Sequence, residues 1–292
     1  MTPSFLPHVS PARVHAELLG GEQAFPPDRA VARCVTEAAP WWPTAVQGLH
    51  RHGARLVAHL AARGLDQFLD LGSGLPCGRQ VHQAAAASRP GQRGTRTVYV
   101  DRDPHVHTVR RIDLVDQPDA ASVLGDITDA QALFEHPAVQ ELDFRRPVAV
   151  LLHDVLPWLP DEAATHLVTE LRRRLPPGSV ISVTHLLTAP PPYATTPLVR
   201  AYREAGIRLW PRDLARIGSW SGTWPAYTHG QHTGGGPLPV CALLLRAPGP
   251  GRFTRPAFWS PSRRGAAPGG LPPRRRPRIN SRAEVATCAG TR

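Results

Sequence analysis

Gln67-Phe68-Leu69-Asp70-Leu71-Gly72-Ser73-Gly74-Leu75-Pro76 is the stretch that decides the fold. A short run of buried-strand character passes straight into two glycines separated by a serine. Glycine adopts the left-handed backbone of a tight turn and lets main chain come close to a ligand. Working outward, similar apolar runs recur with little alternation: Thr97 to Asp101, Ser122 to Leu124, Val148 to Leu152 and Val180 to Val183. Strands of this kind are buried on both faces, as in a parallel sheet. Helical patterns separate them, at Gly78 to Ala87, Pro104 to Leu114, Asp129 to Phe134 and Asp161 to Leu175. This βαβα order predicts a doubly wound α/β sheet. A last strand is expected from Val240 to Arg246, after an irregular Trp- and Gly-rich stretch from Gly218 to Pro237.

Three helices are expected before the sheet: Ala12 to Leu19, Asp28 to Ala38 with Asp28 as its cap, and Thr44 to Arg63. Pro40-Trp41-Trp42-Pro43 breaks the second, and Gly64 stops the third. The chain therefore divides into a helical cap or lid over 1–64, a core over 65–247 and an Arg/Pro/Gly-rich tail over 248–292. The tail cannot bury enough apolar surface to offset its chain entropy, so disorder is expected there.

Charge sharpens this division. The 292 residues carry 34 basic and 23 acidic side chains, and every basic one is arginine. Without lysine there is no Schiff-base residue and no P-loop lysine. From Pro248 onward stand ten arginines and one acid, Glu284, so nine of the eleven net positive charges lie in the tail. The rest of the chain is nearly neutral. Any nucleic-acid contact is thus expected to be weak, nonspecific and confined to the tail. Cys34, Cys77, Cys241 and Cys288 form no CxxC, and the pairs His50/His52 and His105/His107 lack partner ligands. Neither a disulfide framework nor a metal site is expected. No apolar run approaches the roughly 18 residues that cross a bilayer, and the N-terminus lacks a signal-peptide pattern. A cytoplasmic protein without membrane contact is the expectation.

Ligands of open α/β sheets bind beyond the carboxyl ends of the strands. The first strand ends in Asp70 and the loop Gly72, Ser73, Gly74. The second ends in Asp101, placed to accept both hydroxyls of a ribose. The third is followed by Gly125, Asp126 and Ile127, an acid for an adenine amino group beside an apolar cover for its face. The fourth ends in His153-Asp154 and the fifth in Thr184-His185. Together these point to an adenosine-containing cofactor. Nicotinamide dinucleotide fits poorly, because its phosphate loop needs a third glycine where this chain has Cys77. Asp70 suits an ammonium better than a diphosphate, and S-adenosyl-L-methionine has such an ammonium and no phosphate.

The segments Ser10 to Val14, Leu18 to Gly21, Phe25, Asp28-Arg29, Gln67 to Pro76, Val98 to Pro104 and Pro160-Asp161 resemble an actinobacterial S-adenosylmethionine-dependent methyltransferase family, once catalogued as a domain of unknown function. The resemblance spans roughly Ser10 to Arg246. It implies a Rossmann-like class I methyltransferase fold, with Gly72, Gly74, Asp101 and Asp126 at cofactor-contact positions. The chain departs from the family at His15-Ala16-Glu17, where tyrosine, aspartate and tyrosine are usual, and at Glu22-Gln23-Ala24. It also departs at Pro157, which replaces a histidine, and at His153-Asp154, which replace small or apolar residues.

The function expected is methyl transfer from S-adenosyl-L-methionine to a small-molecule acceptor. Cofactor contacts are assigned to Asp70, Gly72, Ser73, Gly74, Asp101, Asp126 and Ile127. The candidates for a base, should the acceptor have to lose a proton, are His153 and His185. A catalytically degenerate relative that binds cofactor or a partner is the alternative, and a NAD-linked oxidoreductase is a third reading.

Overall fold

The computed structural model describes residues 8–89, 94–233, 236–249 and 256. Three helices come first: α1 (Pro11–Leu18), α2 (Pro26–Ala38) and α3 (Trp42–Ala62). Each carries proline in its first turn, where the missing N–H costs nothing. Asp28 is not the cap of α2. The helix starts two residues earlier, and Asp28 accepts the Phe25 N–H at 3.0 Å from within the first turn. α2 ends at Ala38, just before Pro40, as expected; Trp42 and Pro43 then open α3 two residues ahead of Thr44, and Gly64 ends it at φ +100°.

The sheet and its helices follow in the order β1 (Gln67–Leu71), α4 (Val81–Ala87), β2 (Arg96–Asp101), α5 (Pro104–Asp113), β3 (Ala120–Leu124), α6 (Ala130–Glu135), α7 (Pro137–Gln140), β4 (Ala149–His153), α8 (Asp161–Arg174) and β5 (Val180–Leu186). Then come α9 (Thr196–Glu204), α10 (Leu214–Ser219), β6 (Ala226–Thr233) and β7 (Gly236–Arg246). The strands form one sheet in the order β3-β2-β1-β4-β5-β7-β6. β1 to β5 are parallel, with Leu69 opposite Val98 on one side and Val150 on the other. β7 runs antiparallel to β5 and to β6. After β3 the chain crosses back to the other side of β1, reversing the order in which strands are added, so β1 and β4 flank the switch point where such sheets bind ligands.

Three expectations need correction. The helix after β1 begins at Val81 because Gly78 sits at φ +57° and cannot start it. The stretch over 218–237 is not irregular throughout, since it contains β6. This outer strand, Ala226-Tyr227-Thr228-His229-Gly230-Gln231-His232-Thr233, has no apolar run because it pairs on one side only. β7 also starts four residues earlier than Val240.

Val150, Leu152, Ile181 and Val183 pack one face of the sheet onto Leu167, Val168 and Leu171 of α8. A second core joins Val14, Leu18, Val35, Trp42 and Leu49 of the first three helices to Leu186, Leu198, Tyr202 and Val240. The N-terminal helices thus share a core with β5, α9 and β7. Among the described residues no helix is long and apolar enough to cross a membrane. The tail expected over 248–292 lies outside the described residues, apart from Pro248, Gly249 and a buried Pro256.

Candidate active site

A cavity of about 620 Å³ opens at the carboxyl ends of β1 to β4. Asp70, Gly72, Ser73, Gly74, Asp101, Asp126, Ile127 and His153 all line it, drawn together from three strand ends and two loops. His185 does not line it.

The loop after β1 is held by main chain and by one arginine. Gly72 and Ser73 donate their N–H groups to Val100 O at 2.8 and 3.1 Å. Gly72 sits at φ +71°, and a Cβ there would lie 2.1 Å from Val155 Cγ2. Gly74, at φ +60°, faces open space instead. Arg110 of α5 donates to Gly74 O and Ser73 O, both at 2.7 Å, and to Gln80 Oε1 at 3.0 Å. Its guanidinium lies 4.2 Å above the Tyr99 ring. The sequence offered no signal for Arg110, because its place beneath the loop depends on how α5 packs.

Asp101 accepts Gly74 N–H on Oδ2 and Asp103 N–H on Oδ1, both at 2.9 Å. Burial raises its pKa against the pull of those two N–H groups. Asp70 is buried behind the loop, and burial lifts it to about 6, with Arg110 opposing and Asp101 assisting. Asp126 is exposed at the cavity rim, where its Oδ1 accepts from Thr128 N–H and Oγ1, while Ile127 is buried below. α1 is tied to the β2 end: Ser10 Oγ donates to Asp103 Oδ2 at 2.6 Å, and Arg13 beside it makes a buried ion pair with Asp28 at 2.7 Å.

The β4 end differs. His153 bonds Ser182 Oγ through Nε2 at 2.8 Å and is depressed to about 4 by burial. Asp154 stands at φ +55°, an uncommon conformation for a non-glycine residue. Its N–H donates to Thr184 Oγ1, whose hydroxyl donates back to Asp154 Oδ1 at 2.9 Å. Burial raises this carboxyl to about 7. His15, His50 and Trp158 complete the wall. The signal for Asp154 was its strand-end position. The sequence marked His15 only as a departure from a tyrosine and His50 only as half of a pair without partner ligands; they arrive from α1 and α3.

His185, by contrast, lies wholly inside the core. Its Nδ1 donates to Leu186 O at 2.6 Å, which leaves Nε2 to accept from Arg212 Nη1 at 2.9 Å. Burial depresses it to about 3. Both ring nitrogens are engaged away from the cavity, so His185 helps to pack Arg212 rather than meeting an acceptor. Arg212 in turn holds Leu156 O and Leu159 O at 2.9 and 2.6 Å, and so fixes the loop that carries Asp154.

This strand order, with an acid at the second strand end and a glycine loop at the first, defines the class I methyltransferase fold. The chain belongs to the S-adenosyl methyltransferase family, which matches residues 6–220. It is 30% identical to a "putative methyltransferase from Thermobifida fusca YX", with a TM-score of 0.77 over 83% of this chain and 96% of that one. It is 25% identical to a DUF574 family protein from Streptomyces avermitilis MA-4680, with a TM-score of 0.76 over 82% of this chain and 98% of that one. No curated protein matches it. The cofactor of the family is S-adenosyl-L-methionine.

The residues present fit that molecule. Ser73 Oγ is buried in the loop without a hydrogen-bond partner, and the space beside Gly74 is open. Each Asp101 oxygen accepts one N–H and retains a lone pair for a ribose hydroxyl.

Proposed function

We propose that this protein transfers the methyl group of S-adenosyl-L-methionine to a small organic acceptor held at the β4 end of the cavity. One observation carries the reading: all seven residues assigned to the cofactor from sequence line a single cavity. Asp101 would hold the ribose, Asp126 and Ile127 the adenine, and Asp70 with the Gly72-Ser73-Gly74 loop the amino-acid end. When bound, the cofactor supplies a methyl group on a sulfonium, a leaving group that departs as a neutral thioether. The protein's part is alignment and exclusion of water. Arg110 fixes the loop carbonyls, α1 covers the site, and Asp154 and His153 face the space left for the acceptor.

Calorimetry on the full chain tests this. S-Adenosyl-L-methionine and S-adenosylhomocysteine are expected to bind with one site per chain, and more tightly than NAD. Binding of NAD alone, or of none of the three, would remove the reading. We also propose a cytoplasmic setting, supported by the free thiols of Cys34, Cys77 and Cys241. Salt-sensitive, sequence-independent contact with nucleic acid through the arginines beyond Pro248 belongs to the same proposal. Retention on an RNA matrix that persists at high salt would contradict it.

A further inference from the structure

Among the described residues Asp154 is a largely buried carboxylate of the cavity without a strong counter-charge; Asp126 also lacks one but lies exposed to water at the rim. Asp70 has Arg110 acting on it, and Asp101 has two N–H donors. Asp154 Oδ1 is taken by Thr184, but Oδ2 has as its ionic neighbour, among the described residues, only His15, with Nε2 3.8 Å away. The Asp154 side chain is 13% exposed. His15 is itself pushed down to about 4 by burial and the nearby His50, so it brings no charge at neutral pH. Its Nδ1 is buried without a hydrogen-bond partner. The same imidazole that approaches Asp154 through Nε2 thus carries a buried nitrogen without a partner. The backbone reinforces the point: residue 154 is held in the left-handed region by its two bonds to Thr184, and such strain collects where a side chain must be aimed.

Place in the sheet says which ligand this side of the cavity receives. On the methyl-transfer reading, adenosine would lie at the ends of β2 and β3 and the amino-acid end of the cofactor at β1. β4 lies on the other side of β1, so its end faces what remains of the cavity. A buried carboxylate without a cation is costly, and a ligand that brings the missing charge recovers that cost. Trp158 also lines the cavity, and aromatic rings attract cations.

We propose that the β4 end of the cavity binds a cationic amine, with Asp154 Oδ2 as its counter-charge, and that this amine is the methyl acceptor. The inference rests on the methyl-transfer reading above. In the reaction one ammonium N–H bond breaks and its proton passes to Asp154 Oδ2. The freed nitrogen pair forms the bond to the methyl carbon, and the carbon–sulfur bond breaks with its electron pair remaining on sulfur.

The test uses the full chain saturated with S-adenosylhomocysteine. Binding of 2-phenylethylamine and butylamine is compared with that of 2-phenylethanol and butan-1-ol, which match them in shape but carry no charge. At pH 8 at least one amine is expected to bind tenfold or more tightly than its alcohol. Asp154→Asn should abolish that preference and leave S-adenosylhomocysteine affinity unchanged. Between pH 6 and 8 the amine's affinity for the parent protein should rise about tenfold as the carboxyl ionises, while the amine itself stays charged until about pH 10. The titratable groups facing Asp154 are His15 on α1, Tyr202 on α9 and Cys241 on β7, with His153 beside it in the chain. Burial sets both histidines near 4, Cys241 near 12 and Tyr202 above its usual range, so none of them changes charge in that window. Equal binding of amines and alcohols, no binding of either, or a preference that survives Asp154→Asn would each overturn the proposal. So would an Asp154→Asn variant that weakens S-adenosyl-L-methionine relative to S-adenosylhomocysteine without altering amine binding, because Asp154 would then balance the sulfonium. Failure of S-adenosylhomocysteine itself to bind would instead overturn the methyl-transfer reading.

Discussion

The two sides of the cavity are built on different principles. At the ends of β1 and β2 most of the framework is held by the protein itself, although Ser73 Oγ has no partner and burial lifts Asp70 to about 6. Arg110 grips two loop carbonyls, Asp101 accepts two main-chain N–H groups, and Ser10 closes onto Asp103. At the end of β4 the groups are pressed toward neutrality and left partly unpaired, with His15 and His153 near 4 and Asp154 near 7. On the proposed reading the first side is arranged in advance for one ligand, so its contacts would cost little ordering when that ligand arrives. The second takes its definition from whatever completes it. A cavity of this kind can keep its donor while its acceptor changes, because different segments of chain determine the two.

The sides meet where Gly72 packs against Val155, and breaking that contact should have the largest effect. Gly72→Ala would place a Cβ 2.1 Å from Val155 Cγ2 at a φ of +71°. Strain of this sort costs about 1–3 kcal/mol, and either the loop or the β4 turn must move to relieve it. We expect a clearly lowered denaturant midpoint and a loss of S-adenosylhomocysteine affinity of about a hundredfold or more. Unchanged values for both would mean that the two sides are not mechanically joined here.

A smaller effect is expected from Asp101→Ala, confined to the cofactor side. Charge-assisted hydrogen bonds to the ribose contribute roughly 1.5–3 kcal/mol each at most, so cofactor affinity should fall at least tenfold by calorimetry. Because Asp101 also accepts Gly74 and Asp103 N–H, stability without cofactor should drop by about 1–2 kcal/mol as those donors lose their partner. Amine binding at the β4 end should change little. If it fell as far as cofactor affinity, the two sides would be one cooperative unit.

The same division explains what could be read in advance. The proposed cofactor side is local in sequence: each residue assigned to it lies at or just after a strand whose apolar run announces it, from Asp70 to Ile127. β1 was legible to the residue. The β4 side is assembled from α1, α3 and the β4 loop, and His15 and His50 look like any surface histidine until the helices are packed. Strand-end position alone made His153 and His185 look equivalent. The difference is pleat and partner: His153 ends its strand at the cavity, whereas His185 lies within β5, opposite Cys241 of β7, and turns into the core. β6 escaped notice because an outer strand needs no apolar run. α9 and α10 gave no expectation at all, being short helices whose apolar faces were not apparent before β5 and α8 were in place.

The smallest effect, and the most direct probe of the β4 side, concerns stability and pH. The Asp154 carboxyl moves from an ordinary value near 4 up to about 7 through burial. Between those values the folded chain holds a proton that the unfolded chain has released. The stabilising contribution is therefore complete below about pH 4 and is lost as pH rises through 7. Asp154→Asn imitates the protonated form, keeps an oxygen to accept the Thr184 hydroxyl, and tolerates the left-handed backbone. Variant and parent should melt together near pH 4, and the variant should melt higher at pH 8, by about 2–6 °C. His15 and His153 act in the opposite sense, losing stability as pH falls from 6.5 through about 4, but they are present in both proteins and largely cancel in the difference. Scanning calorimetry from pH 4 to 8 reads this directly. A difference that does not grow with pH would mean that Asp154 already has a counter-charge in the folded chain. The β4 end would then be as fully partnered as the β1 end, and the contrast between the two sides would fail.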